Sequence, residues 1–459
     1  MSDKAWLDAS DEKLLTSEIA AGEKDRGDWR VGTEYETFGI TDATRHPLSY
    51  DGPAAPATVR GVLEGLRERL GWEELRDGGA LVGLKQGFRS VQLEPAGQVE
   101  FSGSPWATIR EAEAEIVAFE TEKTRLSKEY GIHWLWSGYL PVHGFDDLDL
   151  MPKQRYGIMD RYLPTRGKLA KHMMRRTTTV QANLDYGDEA DMGRKLRTAM
   201  GVASLIAAIF ANSPFRNGKT NGYRSFRTRI WDHTDPDRCG LLPWVFDGAL
   251  PTYERYVRWA MDVPLFFIVR DGTYLDCAGL PFSTFLKKGF QSHRATLSDW
   301  HLHLSTLFPE VRLKTYLEVR SADCVPPHLL LALPALTKAI LYHESALDAT
   351  WDLVKSWSFS ERLEHRETVA RDALAAPIPG GHTTADIARE LIQIARQSLQ
   401  EQAKRTGLSD DSAYLDGIEA LVKAGKSPAD VALDWYHGQA EVQNNDLLTY
   451  YTANWPETS

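Results

Sequence analysis

Short segments scattered along the 459-residue chain alternate apolar residues with glutamate, glutamine or asparagine. The side chains of a strand point alternately to its two faces, so residues two apart share a face. In Gly32-Thr33-Glu34-Tyr35-Glu36 the two glutamates share one. So do Gln92 and Glu94 in Gln92-Leu93-Glu94-Pro95, and Gln98 and Glu100 in Gln98-Val99-Glu100-Phe101. From Thr179 to Asp185, the polar Gln181, Asn183 and Asp185 oppose Val180, Ala182 and Leu184. In Tyr316-Leu317-Glu318-Val319-Arg320, Glu318 and Arg320 oppose Leu317 and Val319. Such a chain builds a sheet with one apolar face and one acidic, amide-rich face.

For any single strand, a solvated face explains the pattern well enough. Solvated faces, however, usually mix in Lys, Thr and Ser, and here the polar positions are mostly Glu, Gln and Asn. Repeated over several strands, the carboxylates repel one another unless cations neutralise them. Magnesium does this with a few carboxylates and the phosphates of a substrate. The face therefore points to a nucleotide site holding more than one magnesium ion.

The rest of the chain supplies helices around this sheet. Val59, Val62, Leu63 and Leu66 recur at helical spacing within 57–70, and Ile109, Ile116, Phe119 and Leu126 within 106–130. Strands are expected at 29–40, 131–139 and 177–185. A hairpin-like stretch is expected over 81–101, broken by Pro95-Ala96-Gly97, and another over 265–276 around Asp271-Gly272. Asp188 is placed to cap one buried helix running from Glu189 to Ala211. Residues 212–246 read as irregular, Val311–Arg320 as one strand, and the chain after Pro327 as helical, with a linker at 375–381. Strands and helices mix without regular βαβ alternation, so the expected fold class is α+β.

The net charge of -11 disfavours nucleic-acid partners. The longest apolar run, Val202–Phe210, is too short for a membrane span. Cys239, Cys277 and Cys324 are too far apart for a CxxC motif and too few for a disulfide scaffold, which argues for a reducing compartment. The first residues, Met1 to Trp6, show no signal or transit pattern. The expectation is a cytoplasmic protein, with no membrane or nucleic-acid partner, acting as a monomer or weak homodimer.

Basic residues form the second component. Lys153, Arg155, Lys168, Lys171, Arg175 and Arg176 lie in one stretch, and Arg224, Arg227 and Arg229 in another. Guanidinium groups suit carboxylates and phosphates, although surface ion pairing explains many such residues. There is no GxxxxGK[ST] loop and no GxGxxG after a strand. ATP, if bound, is held through magnesium and Arg or Lys.

At this point the motifs become recognisable. Gly32-Thr33-Glu34-Tyr35-Glu36-Thr37-Phe38-Gly39 resembles the GTEHEKFG of plant and proteobacterial glutamate–cysteine ligases. The run from Leu93 to Pro105 resembles their LEPGGQFELSGAP, and Met151-Pro152-Lys153 with Arg155-Tyr156 resembles MPKGRY. Further similar runs are Phe210–Phe215, Leu242–Asp247 and Phe308–Glu318.

The resemblance implies a curved antiparallel sheet forming a funnel, of the glutamine synthetase-like, carboxylate–amine ligase type. It implies ATP-dependent joining of L-glutamate to L-cysteine through a γ-glutamyl phosphate, the first step of glutathione biosynthesis, with two or three Mg2+ ions. By motif, Glu34, Glu36, Glu94, Glu100 and Glu318 become magnesium ligands. Gln181, where more distant bacterial relatives place a histidine, is a weaker candidate, with Asn183 beside it. Arg320 is assigned to the transferring phosphoryl group and Arg227 to glutamate, with Arg229, Tyr223 and Asn183 as further substrate contacts. Residues 29–326 are expected to form the catalytic domain, 1–28 an N-terminal helical extension, and 327–459 a helical region packed on it. Two departures stand out. Tyr35 replaces the usual histidine but points away from the glutamates. Cys277 matches one member of a plant regulatory cysteine pair, yet the loop 287–293 holds no second cysteine, so that switch is expected to be absent. Two alternatives stay open: a carboxylate–amine ligase with a different amine acceptor, and a non-catalytic nucleotide- or glutamate-binding relative.

Overall fold

The strand that carries Glu34 and Glu36, Val31–Thr41 (β1), is the spine of an antiparallel sheet. The computed structural model describes residues 6–452. Residues 1–5 of the expected N-terminal extension and 453–459 of the expected C-terminal region lie outside the described residues. The other strands of the sheet are Glu73–Asp77 (β2), Ala80–Gln86 (β3), Arg89–Leu93 (β4), Gln98–Ser102 (β5), Ile132–Leu135 (β6), Thr179–Leu184 (β7), Val311–Leu313 (β8) and Leu317–Asp323 (β9). Their spatial order is β8-β9-β7-β1-β5-β4-β3-β2, and β6 pairs with the far end of β1, from Phe38 to Thr41. The fold is α+β.

Alternation sorts the side chains as the sequence predicts. Val31, Tyr35, Val91, Leu93, Val99, Phe101, Val180, Ala182, Leu184, Leu317 and Val319 are all buried in one apolar cluster. Each large apolar side chain so buried contributes about 1.5–3 kcal/mol. Helices Val59–Leu70 and Ile109–Tyr130 pack on this face, and Ala332–Tyr342 packs on β7 and β1. The C-terminal helices thus share the core of the sheet. Tyr35 faces into this layer. Its hydroxyl donates to Glu120, whose carboxylate also accepts from the fully buried Lys123 at 2.6 Å.

Local signals start and stop the helices. Thr108 and Glu111 form a capping box for Ile109–Tyr130, and Gly131 ends it in the left-handed region at φ 66°. Asp188 accepts from the Asp191 N–H and caps the next helix as expected. That helix, however, runs only from Glu189 to Gly201. A second, Ala203–Ile209, follows after a break at Val202. The break falls next to Gly201, the poorest helix former there.

The larger departure is at 311–320, expected as one strand. The chain reverses at Lys314–Tyr316 to give the hairpin β8–β9, with Arg312 directly opposite Glu318. No glycine or asparagine marks this turn, and period-two alternation is the same before and after it.

Candidate active site

Strand register builds the site row by row. Glu36 pairs with Glu100, and Glu100 with Gln92. Glu34 pairs with Gln181. Gly32 pairs with Asn183, and Asn183 with Glu318. Glycine at 32 makes room, because a Cβ there would lie 3.2 Å from the Asn183 Cβ. Asn183 instead reaches across and donates from Nδ2 to Glu34 Oε1 at 2.7 Å. These side chains, with Glu94, form the floor of a cavity of about 630 Å³.

Glu94 sits where β4 gives way to the turn Pro95-Ala96-Gly97, closed by Gly97 at φ 86°. The Met151 N–H donates to the Pro95 carbonyl at 2.9 Å, which straps the Met-Pro-Lys segment to this turn. Gln98 is consumed structurally: Oε1 accepts the Ala96 N–H, and Nε2 donates to the carbonyls of Met174 and Thr177.

Cations line the same cavity. Arg155, Arg227, Arg312, Lys314 and Arg320 are all in its wall. Arg312 donates to both carboxylate oxygens of Glu318. Arg320 Nη1 donates to Gln181 Oε1 at 2.8 Å and to Glu318 Oε1 at 3.3 Å. The register of β9 on β7 shifts between Val319 and Ala322, so Arg320 lies in a bulge, a device that re-aims side chains beside active sites. Arg227 Nη2 donates to the Arg320 carbonyl at 3.1 Å.

The charges are unevenly matched. Burial, then Glu94 and Glu100, push the Glu36 carboxyl well above its usual range. Burial, then Glu94, raise Glu100 to about 8. Burial and Glu318 raise Glu34. Glu318 is the opposite case: burial works against its charge, but Arg312, Lys314 and Arg320 outweigh burial and hold it far below the carboxylate range. One end of the floor is thus short of positive charge and the other is supplied with it. Among the described residues, no three His, Cys, Asp or Glu side chains converge to hold a metal ion unaided. Magnesium commonly takes one or two carboxylates and completes its shell with phosphate oxygens and water. Hard carboxylate donors lacking counter-charge, beside cations suited to phosphate, fit that description.

The model of glutamate–cysteine ligase family 2 matches residues 30–449. The chain belongs to this family. The plant members it resembles are chloroplastic glutamate–cysteine ligases. That of Solanum lycopersicum is 40% identical over 429 residues, covering 93% of this chain and 79% of the relative. That of Arabidopsis thaliana is 39% identical over 428 residues, covering 93% and 80%. Among solved structures, glutamate–cysteine ligase from Francisella tularensis in complex with AMP matches with a TM-score of 0.57 at 13% identity, covering 92% of this chain and 87% of that one. A bifunctional glutathione synthetase from Pasteurella multocida matches with a TM-score of 0.53 at 11% identity, covering 97% and 54%. At these identities the structural likeness concerns the fold.

For this family member, the structure brings Glu34, Glu36, Glu94, Glu100, Glu318, Gln181, Asn183, Arg227 and Arg320 into one cavity. It does not bring Tyr223 and Arg229 there. Both line a separate depression with Arg216 and Lys219. Arg227 and Arg229 lie on the helix Phe226–Trp231. At about 100° per residue, side chains two apart diverge by about 200°. Sequence reasoning missed Arg312 and Lys314 as site residues. Their place follows from the hairpin register, which single-strand alternation does not contain. Lys153, noted in a basic run and in the Met-Pro-Lys motif but not as a site residue, is buried, and its ammonium has no hydrogen-bond partner among the described residues. Burial, then Arg155, depress it to about 8 against the pull of Glu94 and Glu100.

Proposed function

We propose that the protein joins the γ-carboxylate of L-glutamate to the amine of L-cysteine at the cost of ATP, the first step of glutathione biosynthesis. The two substrates follow the family's relatives, and one observation carries the nucleotide chemistry: Glu34, Glu36, Glu94 and Glu100 share one cavity with Arg227, Arg312, Lys314 and Arg320. A non-catalytic binding module has no need of both sets.

In this reading a γ-carboxylate oxygen of glutamate attacks the γ-phosphorus of ATP and ADP leaves. The cysteine nitrogen then attacks the acyl carbon, phosphate leaves and the nitrogen loses a proton. Bound Mg2+, two or three ions in the proposal, supplies neutralising charge for the triphosphate and the incoming carboxylate. Glu34, Glu36, Glu94 and Glu100 would hold it, with Glu318 contributing the lone pairs that Arg312 leaves free. Gln181 serves chiefly to orient Arg320, which meets the transferring phosphoryl group. Arg227 binds the glutamate. Positioning and charge stabilisation do most of the work in such transfers.

We assign catalysis to residues 29–326 and a buttressing role to the helices after Pro327. Among the described residues no helix is long and apolar enough to cross a membrane. The three unpaired cysteines favour a cytoplasmic setting, and we propose action as a monomer or weak homodimer.

The test is ADP release with glutamate alone, then with cysteine or other amines added. Cysteine-dependent release is the expected result. Release with another amine but not cysteine selects the different-acceptor reading, and no amine dependence at all ends the ligase reading.

A further inference from the structure

The C-terminal helix Phe359–Asp372 lies against Phe226–Trp231, the helix that carries Arg227. At the start of the latter, the Ala370 carbonyl accepts the N–H groups of Arg224 (3.1 Å) and Ser225 (3.0 Å). At its end, Arg366 Nε donates to Asp232 Oδ1 at 2.6 Å. The same guanidinium donates through Nη2 to Glu310 Oε1, also at 2.6 Å. The Glu310 carbonyl accepts the Arg320 N–H at 3.0 Å, and the Arg320 carbonyl accepts from Arg227 Nη2 at 3.1 Å. The contacts close a ring: Arg366 to Asp232, along the short helix to Arg227, across to Arg320, and back through Glu310.

We propose that Arg366 is a positioning residue for the reaction, fixing Arg227 relative to Arg320 from outside the cavity. The inference rests on the ligase reading of those two arginines. Arg366 is 2% exposed and is absent from the cavity wall, so it does not touch substrate. Its planar fork reaches two carboxylates on two different elements at once. A lysine ammonium, a compact point charge on a flexible stem, does not reproduce that geometry. Burial works against the Glu310 charge, but Arg366 first, and Arg227 with it, keep its carboxyl below the usual range. A buried ion pair is weak evidence for stability on its own. What sets this one apart is that both partners lead by single hydrogen bonds or one helix to the arginines of the site.

The experiment compares wild type, Arg366→Lys and Glu310→Gln for melting temperature and for kcat and KM in cysteine-dependent ADP release. Expected is a loss of kcat of about tenfold or more in Arg366→Lys. KM for cysteine should stay within about twofold and the melting temperature within a few degrees. Glu310→Gln, which keeps an acceptor for Arg366, should lose less kcat. Wild-type kcat per folded molecule in Arg366→Lys overturns the proposal, since a purely structural strut would change stability alone. Should Arg366→Lys fail to fold, Glu310→Gln decides: folded with reduced kcat supports the proposal, folded with wild-type kcat overturns it. Absence of cysteine-dependent turnover in the wild type is the separate failure of the ligase reading, and it takes this proposal with it.

Discussion

Arg312 grips both carboxylate oxygens of Glu318 across the β8–β9 hairpin, and both side chains are buried. The pair keeps one carboxylate of the floor ionised where Glu34, Glu36 and Glu100 are driven toward neutrality. Removing the guanidinium strands a buried charge, which costs about 3–5 kcal/mol where nothing compensates. Lys314 and Arg320 remain beside Glu318, so Arg312→Ala should fall at the lower end of that range. Urea denaturation measures it. Turnover of the folded fraction should drop at least about 100-fold, because Glu318 and Arg320 lose their shared geometry. A loss of stability with normal turnover would remove Arg312 from the site.

The acidic floor should make the metal-free protein sensitive to pH in a definite direction. Glu100 titrates at about 8 in the fold against about 4.5 when unfolded. Between these values the folded state holds a proton that the unfolded state has released. The stability contributed by the neutral carboxyl is present below the ordinary carboxylate pKa and is lost as pH rises through about 8. Buried histidines such as His143 and His172, both depressed to about 4 by burial, titrate in an overlapping window. The informative quantity is therefore the difference between wild type and Glu100→Gln. The melting-temperature advantage of Glu100→Gln should grow from pH 5 to pH 8 without metal and shrink when Mg2+ and ATP are added. A gap that does not change with pH would show that Glu100 is ionised throughout.

Cys277 is 4% exposed, and burial, then Asp276, raise its thiol to about 12. Thiolate is the reactive form, so this sulfur is a poor participant in exchange. With no second cysteine in 287–293, turnover should change by less than about twofold on treatment with dithiothreitol. A larger reversible change, measured in the ADP-release assay, would mean that another pair of these thiols acts as a switch.

The faces of β1, β5 and β7 were legible in sequence because strand alternation is local: whichever way the chain turns, Glu34 and Glu36 stay on one side and Tyr35 on the other. The β8–β9 reversal was not legible. Lys314-Thr315 carries none of the residues that announce a turn, so Arg312 gave no sign of meeting Glu318. The uninterrupted helix expected from Glu189 to Ala211 failed for a related reason. Burial of nearly every residue from Leu196 to Ala211 hides the break at Val202 from any periodicity. The ring through Arg366 and Glu310 joins residues distant in sequence, and only packing brings them together.

The pair Arg227 and Arg229 separates by geometry what the sequence left together. Both were candidates for substrate, since the run Tyr223–Trp231 gives no strand or helix period to choose between them. On a helix their side chains diverge. Arg227 is 3% exposed and donates to the Arg320 carbonyl, while Arg229 lines a depression outside the acidic floor. Arg227→Ala should therefore cost at least about 100-fold in kcat/KM for glutamate, as loss of a preorganised charge contact does. Arg229→Ala should stay within about twofold, as a substitution away from the chemistry does. Parallel kinetics on the two variants, with melting temperatures to confirm folding, decide it. Equal losses would mean that the substrate reaches across the helix, and Arg229 would return to the site.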